Sequence, residues 1–221
     1  MSNSVKHTMS IEDTRREYDY GRLTRESLLD SPFDQFQLWL DQACSSPIKD
    51  PTAMTIATVG ADNKPWHRAV LLKGFDERGL VFYTNLGSRK AHDITNNPHA
   101  SLHFPWFLLD RQISIGGTVE KVSRGEVLQY FLSRPKESQL AAWASKQSTR
   151  LTSRQALEAQ FMAMKQKFSQ GEIPTPDFWG GFRVIPEEFQ FWQGGEKRLH
   201  DRYQYKRDGS QQGWEITQLA P

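Results

Sequence analysis

The sequence predicts an α+β fold in which helices surround an antiparallel β-barrel. From Thr52 onward, apolar and polar residues alternate with a period of two, and turn-forming stretches such as 62–65 and 76–79 separate the successive segments. Helical segments are inserted between some of these strands, but they do not follow each strand as in βαβ units. Neither G-x-G-x-x-G nor G-x-x-x-x-G-K-[ST] occurs, so the two common parallel nucleotide-binding folds lose their usual support.

The N-terminal part predicts a mobile arm followed by an amphipathic helix. Residues 1–14 are polar and aperiodic, which is typical of a mobile segment. Ser31 and Pro32 have the N-cap and first-turn chemistry of a helix start. The apolar residues that then repeat at helical spacing, up to about residue 44, are Phe36, Trp39, Leu40 and Ala43. Residues 15–221 contain no linker or low-complexity stretch, so a single domain is predicted there.

The remaining elements follow in an irregular order of hairpins and helices. In the fifth strand, Gly116 and Gly117 indicate a bulge or a close backbone approach. Pro135 is predicted to end one helix, and Gly171 lies near the end of another. The predicted strands are 52–59, 66–75, 80–85, 99–106, 111–122, 178–185, 188–193, 198–206 and 214–219, and the predicted helices are 88–96, 123–134, 138–146 and 153–168.

The composition predicts a soluble protein with one sizeable core. The chain has 221 residues, a mean hydropathy of −0.67 and no run near the roughly 18 apolar residues that span a bilayer. Its formal net charge of +2 is too small to argue for nucleic acid, and no Cys/His cluster has zinc spacing, so no metal is expected. The single cysteine, Cys44, and the absence of an apolar signal segment favour a reducing, cytoplasmic location.

Cations are concentrated in a stretch that otherwise has the composition of buried strands. Arg68, Lys73, Arg89 and Lys90 need partners there, and a phosphate group is a suitable one. Arg89 and Lys90 also open a predicted helix, whose free N–H groups favour phosphate. The alternative is a sheet edge with solvated charges. On a regular strand, Arg68 and Lys73 would lie on opposite faces, which predicts two separate anion sites.

Two further patterns suggest a polar ligand site. Tyr130 and Arg134 share a helix face, and Ser138, beyond Pro135, is predicted to cap the next helix. The alternative for these three residues is a solvated helix face and an ordinary cap. Arg198 and His200 alternate along a predicted strand and therefore share a face, for which a salt-bridged exterior is the alternative.

Long motifs spread over nearly the whole chain resemble those of the pyridoxine (pyridoxamine) 5′-phosphate oxidase family. They are residues 68–73, 82–90, 145–148, 178–183 and 192–203. The resemblance implies an FMN-binding split β-barrel with peripheral helices, and a homodimer with FMN at the subunit interface. It implies conversion of pyridoxamine 5′-phosphate or pyridoxine 5′-phosphate to pyridoxal 5′-phosphate, with O2 as acceptor and H2O2 as by-product. Alternatives are another split-barrel FMN enzyme such as a flavin reductase, or a non-catalytic flavin or pyridoxal-phosphate carrier.

The resemblance also implies roles for individual residues. The residues that it assigns to FMN are Arg68, Ala69, Val70, Leu71, Leu72, Lys73, Tyr83, Thr84, Arg89, Lys90, Gln112, Gln147, Ser148, Trp192 and Arg202. Those that it assigns to the substrate are Arg15, Arg16, Glu17, Tyr18, Lys73, Tyr130, Arg134, Ser138, Arg198, Leu199 and His200. Within the second set, Arg198 and His200 are the catalytic candidates, and the segment 15–18 is expected to close over the substrate.

Overall fold

The computed structural model describes residues 16–209 and 213–221, and within them nine strands form one antiparallel sheet with α-helices around it. The predicted α+β, antiparallel architecture is confirmed. The strands are β1 (Ala53–Val59), β2 (Pro65–Leu71), β3 (Gly74–Asp76), β4 (Gly79–Asn85), β5 (His99–Trp106), β6 (Arg111–Lys121), β7 (Trp179–Gln193), β8 (Asp201–Arg207) and β9 (Trp214–Leu219). The helices are α1 (Pro32–Cys44), α2 (Arg89–Asn96), α3 (Arg124–Ser133), α4 (Lys136–Ala144) and α5 (Arg154–Lys167). The predicted arm 1–14 and Arg15 lie outside the described residues.

β7 is the long strand that joins the two parts of the sheet. The order is β2-β1-β5-β6-β7-β4-β3, with β8 also paired to β7 and β9 paired to β8. The first residues of β7 pair with β4 and its last residues pair with β8, while β6 runs along almost its whole length. Because the sheet curls into a half-barrel, the two ends of β7 lie in different parts of the molecule.

A bulge between β6 and β7 confirms the expectation for Gly116 and Gly117. The register shifts between these two glycines, and a Cβ on Gly117 would lie 2.0 Å from the carbonyl oxygen of Ile185. Pro186 lies opposite Gly117 at this irregularity, where its missing N–H costs no regular ladder hydrogen bond. The two strands predicted over 178–185 and 188–193 are therefore one continuous strand.

Two apolar clusters hold the helices against the sheet. In the larger one, α1 contributes Phe36 and Trp39, whose rings make edge contacts with Phe104 and Phe191. Ser31 begins this helix as predicted, since its Oγ accepts hydrogen bonds from the N–H groups of residues 33 and 34. The smaller cluster lies under α3, α4 and the start of β7, and its buried residues are Val122, Val127, Phe131, Leu140, Ile173 and Trp179.

Three local predictions are wrong, each for a backbone reason. β2 ends at Leu71, so Arg68 and Lys73 do not share one regular strand. α4 begins at Lys136 with Pro135 as its N-cap residue, because the fixed φ of proline suits a helix start, so Ser138 lies inside the first turn and does not cap it. The predicted strand 198–206 begins only at Asp201.

The segment before β8 is a turn and not a strand. Glu196–Arg198 forms a 3₁₀ turn in which Lys197 and Arg198 have φ values of 53° and 65°. These left-handed conformations are incompatible with the alternation assumed for Arg198 and His200. Among the described residues, no helix is long and apolar enough to cross a membrane.

Candidate functional site

A cavity of about 490 Å³ lies where β2 and β4 face α3, α4 and the first residue of β7. Small-molecule sites typically occupy about 300–1,000 Å³. Many of the predicted ligand-binding residues line it together: Arg68, Ala69, Val70, Leu71, Lys73, Tyr83, Thr84, Lys90, Tyr130, Arg134 and Gln147. Because Arg68 and Lys73 line the same cavity, the expectation that they lie on opposite faces is wrong, while the expectation of two anion sites stays a prediction.

Lys90 lies at one end of this cavity as a buried ammonium group. Only 5% of the residue is exposed, and its Nζ donates hydrogen bonds to Thr84 Oγ1 at 3.0 Å and Ser88 Oγ at 3.3 Å. Burial, reinforced by the positive charge of Arg68, lowers the pKa of Lys90 to about 8. Both hydrogen-bond partners are neutral hydroxyls, so an anion bound here would gain a strong electrostatic interaction.

Arg68 lies beside Lys90, and its guanidinium group contacts two buried side chains. Its Nη1 donates a hydrogen bond to Thr58 Oγ1 at 2.6 Å, and its Nη2 lies 3.7 Å from Asp93 Oδ2. Burial lowers the pKa of the guanidinium, while the negative charge of Asp93 opposes that shift. Two cations and one carboxylate leave this end of the cavity positively charged.

Arg134 supplies a second cationic group in the same cavity. Its Nη1 is buried and has no hydrogen-bond partner among the described residues, and burial lowers the pKa of the guanidinium. The guanidinium carbon lies 4.9 Å from the centre of the Trp179 ring. Tyr130 stacks on Tyr83 with ring centres 4.0 Å apart, and Tyr83 stacks in turn on Trp179. A buried N–H without a partner costs free energy, which an anionic ligand would recover.

Other predicted residues lie at the rim of the cavity or beyond it. The Arg89 guanidinium covers the exposed ring of Trp66 at 4.0 Å, and its backbone N–H donates to Ser148 Oγ at 3.3 Å. Gln147 Oε1 accepts a hydrogen bond from Thr84 Oγ1 at 3.2 Å. Leu72 is buried in the main core and does not line the cavity. Ser138 does not line the cavity either.

A second group of predicted residues surrounds the end of β7. The rings of Trp192 and His200 are 4.6 Å apart, and the Tyr18 ring makes edge contacts with both. The Arg198 guanidinium carbon lies 5.9 Å from the centre of the Tyr18 ring. His200 Nδ1 accepts a hydrogen bond from the N–H of Gly195 at 3.1 Å, so the neutral ring carries its proton on Nε2.

The N-terminal segment is fastened to this second group through Asp110. Arg16 forms an ion pair with the buried Asp110 carboxylate, which also accepts a hydrogen bond from the Asp19 N–H at 3.3 Å. The carbonyl oxygen of Asp110 accepts from the Gly194 N–H at 2.7 Å. These contacts place Tyr18 against Trp192 and His200, whereas Glu17 and Leu199 are exposed.

Three residues form a row across neighbouring strands near the same end of β7. Gln112 on β6, Trp192 on β7 and Arg202 on β8 lie directly opposite one another and therefore share a face of the sheet. Arg202 donates hydrogen bonds to Gln190 Oε1, from Nη2 at 2.5 Å and from Nε at 3.2 Å. The row is part of the second group and does not line the cavity.

One chain therefore presents two separate clusters of the predicted site residues. Trp179 lies in the cavity and Trp192 lies in the second group, and both are on β7. At about 3.3 Å per residue, roughly 40 Å of strand separates them. Most of the predicted site residues thus fall into two clusters, and one copy of the chain does not bring the clusters together.

The sequence-based prediction missed several residues that line the cavity, which are Asn85, Ala141, Ala142, Ser145 and Trp179. Trp179 had a detectable signal, since it stands before Gly180 and Gly181. A Cβ on Gly181 would lie 2.7 Å from the ring of Tyr83, so this glycine allows the aromatic stack to lie flat against β7. The other lining residues have no local signature in the sequence.

Comparisons with known proteins identify the family. A family model described as pyridoxamine 5′-phosphate oxidase matches residues 40–168, and one described as the pyridoxine 5′-phosphate oxidase C-terminal dimerisation region matches residues 179–221. The chain belongs to the pyridoxamine 5′-phosphate oxidase family. A relative named pyridoxine/pyridoxamine 5′-phosphate oxidase from Cronobacter sakazakii is 55% identical, covering 99% of this chain and 100% of that protein. One with the same name from Aeromonas hydrophila is 56% identical, with 96% and 100% coverage.

Two solved structures share the fold. PhzG from Burkholderia lata, solved with tetrahydrophenazine-1-carboxylic acid, is 29% identical with a TM-score of 0.84, covering 90% of this chain and 98% of that chain. A pyridoxamine 5′-phosphate oxidase-related, FMN-binding protein from Nostoc punctiforme is 17% identical with a TM-score of 0.70, covering 88% of this chain and all of that chain. The second likeness concerns the fold alone, and both agree with the split barrel expected from the sequence.

Proposed function

We propose that this member of the pyridoxamine 5′-phosphate oxidase family is an FMN-dependent enzyme. It oxidises pyridoxamine 5′-phosphate or pyridoxine 5′-phosphate to pyridoxal 5′-phosphate, with O2 as electron acceptor and H2O2 as by-product. The observation that carries the proposal is the pair of cationic groups in one cavity, Arg68 with Lys90 and, apart from them, Arg134. Two phosphorylated planar molecules would use both groups, and the names of the closely similar relatives fit this reaction.

The donors around Lys90 fit the phosphate of FMN. Among the described residues, Lys90 donates only to hydroxyls, and Arg68 retains N–H groups that bond neither Thr58 nor the Ile56 carbonyl oxygen. When bound, FMN would accept a hydride equivalent from the C4′ carbon of the substrate and pass the electrons on to O2. The protein binds and orients both molecules, because C4′ has to lie over the reactive flavin atom.

The second half-site would come from a second copy of the chain. The family's dimerisation region, residues 179–221, contains Trp192, Arg198, His200 and Arg202. In a two-fold dimer each cavity would face these residues of the partner subunit, which gives two complete sites. A homodimer with FMN at the interface is therefore part of the proposal, and so is a cytoplasmic location, which rests on the single cysteine.

The substrate would be held by its phosphate and by its ring. Arg134, Tyr130 and Lys73 bind the phosphate inside the cavity, and Ser138 in the first turn of α4 is a further candidate. Arg198 of the partner subunit stabilises negative charge that develops on the ring. The partner subunit's His200 would donate its Nε2–H to the substrate, because Nδ1 already accepts from Gly195. The partner subunit's Tyr18 would close over the ring, held in place by the Arg16–Asp110 ion pair of the same subunit.

Turnover of pyridoxamine 5′-phosphate tests the proposal directly. The purified protein should consume O2 and release pyridoxal 5′-phosphate and H2O2, and acid should release FMN and not FAD. Oxidation of a nicotinamide donor without pyridoxal 5′-phosphate formation would favour a flavin reductase. Tight binding of both ligands without any turnover would favour a carrier. Either of these outcomes would contradict the proposed oxidase.

FMN affinity is expected to fall as the pH rises above about 8. The protonated Lys90 binds phosphate best, and its pKa without an anion is about 8. Bound phosphate raises that pKa, so above pH 8 the affinity falls by up to about tenfold per pH unit until the raised pKa is reached. Flavin fluorescence titrations across this range measure the effect. Lys90→Met should bind FMN weakly with a nearly flat profile, and a wild-type decline that persists in this variant would exclude Lys90 as its cause.

Arg198→Ala is expected to lower kcat/KM by about 10²-fold while FMN occupancy stays near that of the wild type. A positioned electrostatic contact in the transition state contributes about this much. Flavin reduction followed anaerobically in a stopped-flow instrument separates the reductive half-reaction from the oxygen step. If the reduction rate and the substrate affinity both equal those of the wild type, Arg198 has no catalytic role. Lys197→Ala in the same turn, an exposed cation with no assigned contact to the ligands, is the control.

A further inference from the structure

A buried carboxylate lies behind the cationic end of the cavity, and none of the roles described above uses it. Asp93 is on α2, three residues after Lys90, and only 6% of it is exposed. Its Oδ2 accepts a hydrogen bond from Thr58 Oγ1 at 2.7 Å, and Thr58 is itself 1% exposed. Placing a carboxylate near a phosphate site is unfavourable by Coulomb's law alone, so its position calls for a structural reason.

The hydrogen-bond directions around Thr58 supply that reason. A threonine hydroxyl has one proton to donate, and here it is donated to Asp93. The lone pairs of Thr58 Oγ1 are then left to accept from Arg68 Nη1, which lies 2.6 Å away. Asp93 thus fixes the hydroxyl as an acceptor, and its Oδ2 also attracts Arg68 Nη2 from 3.7 Å.

We infer that Asp93 and Thr58 are positioning residues that hold the Arg68 guanidinium ready for the phosphate of FMN. This inference rests on the proposed function, since it assigns the anion at Arg68 to the cofactor. An unrestrained arginine has many rotamers and loses their entropy on binding. With one edge fixed by Thr58 and Asp93, the guanidinium presents its remaining N–H groups to the cavity without that loss.

The sign of the effect separates positioning from simple electrostatics. If Asp93 acted only through its charge, Asp93→Asn would remove a repulsion and FMN would bind more tightly. If it orients Arg68, the same substitution loosens the guanidinium and FMN binds less tightly. Riboflavin has the same ring system but no phosphate, so its affinity should not respond to the orientation of Arg68.

The experiment compares FMN and riboflavin binding to the apoprotein by flavin fluorescence. Asp93→Asn and Thr58→Val are each expected to weaken FMN binding about tenfold, the lower range for a hydrogen bond to a charged group, and to leave riboflavin binding unchanged. In an Arg68→Ala background, Asp93→Asn should cause no further loss of FMN affinity, because the group that it positions is absent. Circular dichroism and the melting temperature report whether each variant is folded.

Two neighbouring residues provide matched controls. Asp62 lies close to Asp93, since a Cβ on Gly60 would be 3.0 Å from Asp62 Oδ1 and 3.1 Å from Asp93 Oδ1, and it pairs with Lys64, so Asp62→Asn removes a nearby negative charge without removing a contact to Arg68. Thr95 on α2 donates its hydroxyl to the Ala91 carbonyl, so Thr95→Val removes a comparable hydroxyl on the same helix. Both controls should retain wild-type affinity for FMN.

Several results would overturn the inference. Tighter FMN binding by Asp93→Asn would show that charge alone matters, and equal losses for FMN and riboflavin would show a general structural role. A persistent loss in the Arg68→Ala background would locate the effect elsewhere. A wild-type protein that does not prefer FMN over riboflavin would overturn the proposed cofactor assignment as well, whereas a clear wild-type preference with unaffected variants would overturn only the positioning role.

Discussion

Replacing Arg134 by alanine is expected to lower kcat/KM for pyridoxamine 5′-phosphate by about 10²–10⁴-fold, chiefly through KM. The Arg134 guanidinium is buried, and its Nη1 has no partner within the described part of the chain, so this N–H group can donate a hydrogen bond to an anionic ligand. A forked contact to phosphate supplies two hydrogen bonds to a charged group, each contributing about 1.5–3 kcal/mol. FMN affinity should change little, because the FMN phosphate is assigned to Arg68 and Lys90.

Steady-state kinetics and a flavin titration on the same preparation measure both quantities. Arg134→Lys keeps the charge but loses the planar fork, so it should recover only part of the activity. Arg124 is the matched control, since it begins α3 and pairs with the exposed Asp177, away from the substrate. Arg124→Ala should keep wild-type kinetics. Equal losses of FMN and substrate affinity in Arg134→Ala would mean that the two phosphate clusters are one site.

The parts of the fold that the sequence predicted well are those set by local periodicity. β5 has the predicted bounds, His99–Trp106, because buried positions alternate along it with exposed or half-buried ones. α1 begins where Ser31 and Pro32 indicated, since capping is a contact between near neighbours. Gly117 marked a close approach because a side chain there would collide with β7.

The parts that failed depend on backbone states or contacts that no local pattern encodes. Left-handed backbone at Lys197 and Arg198 is uncommon for residues other than glycine, so the alternation around Arg198 predicts a strand where the structure has a turn. No local sequence pattern indicates a role for Asp93, because the residues that it contacts, Thr58 and Arg68, lie on β1 and β2, far from it in sequence. The separation of the two clusters at the two ends of β7 depends on the curl of the whole sheet, which no local pattern encodes.

At a substrate concentration well below the wild-type KM, Arg134→Ala and Arg198→Ala each retain only about 1% of wild-type activity, and mixing the two variants is expected to restore activity if the site is shared between subunits. Arg134→Ala damages the cavity half, and Arg198→Ala damages the other half. When the two variants are unfolded and refolded together, half of the dimers are mixed, and each mixed dimer has one site with both halves intact. Activity should therefore rise from about 1% to about a quarter of the wild-type value. Co-expression with two affinity tags, followed by purification through both, isolates the mixed dimer itself.

The opposite arrangement of the same two substitutions gives a matched test. A chain carrying both Arg134→Ala and Arg198→Ala, mixed with wild type, forms mixed dimers in which each site has one damaged half. Only wild-type homodimers remain active, so activity should fall to about a quarter of wild type instead of the half expected for sites built within one chain. Both results follow from the position of Trp179 and Trp192 at opposite ends of β7. If single-variant mixtures stay inactive and the double-variant mixture keeps half of the activity, each site lies within one subunit and the dimeric arrangement is wrong.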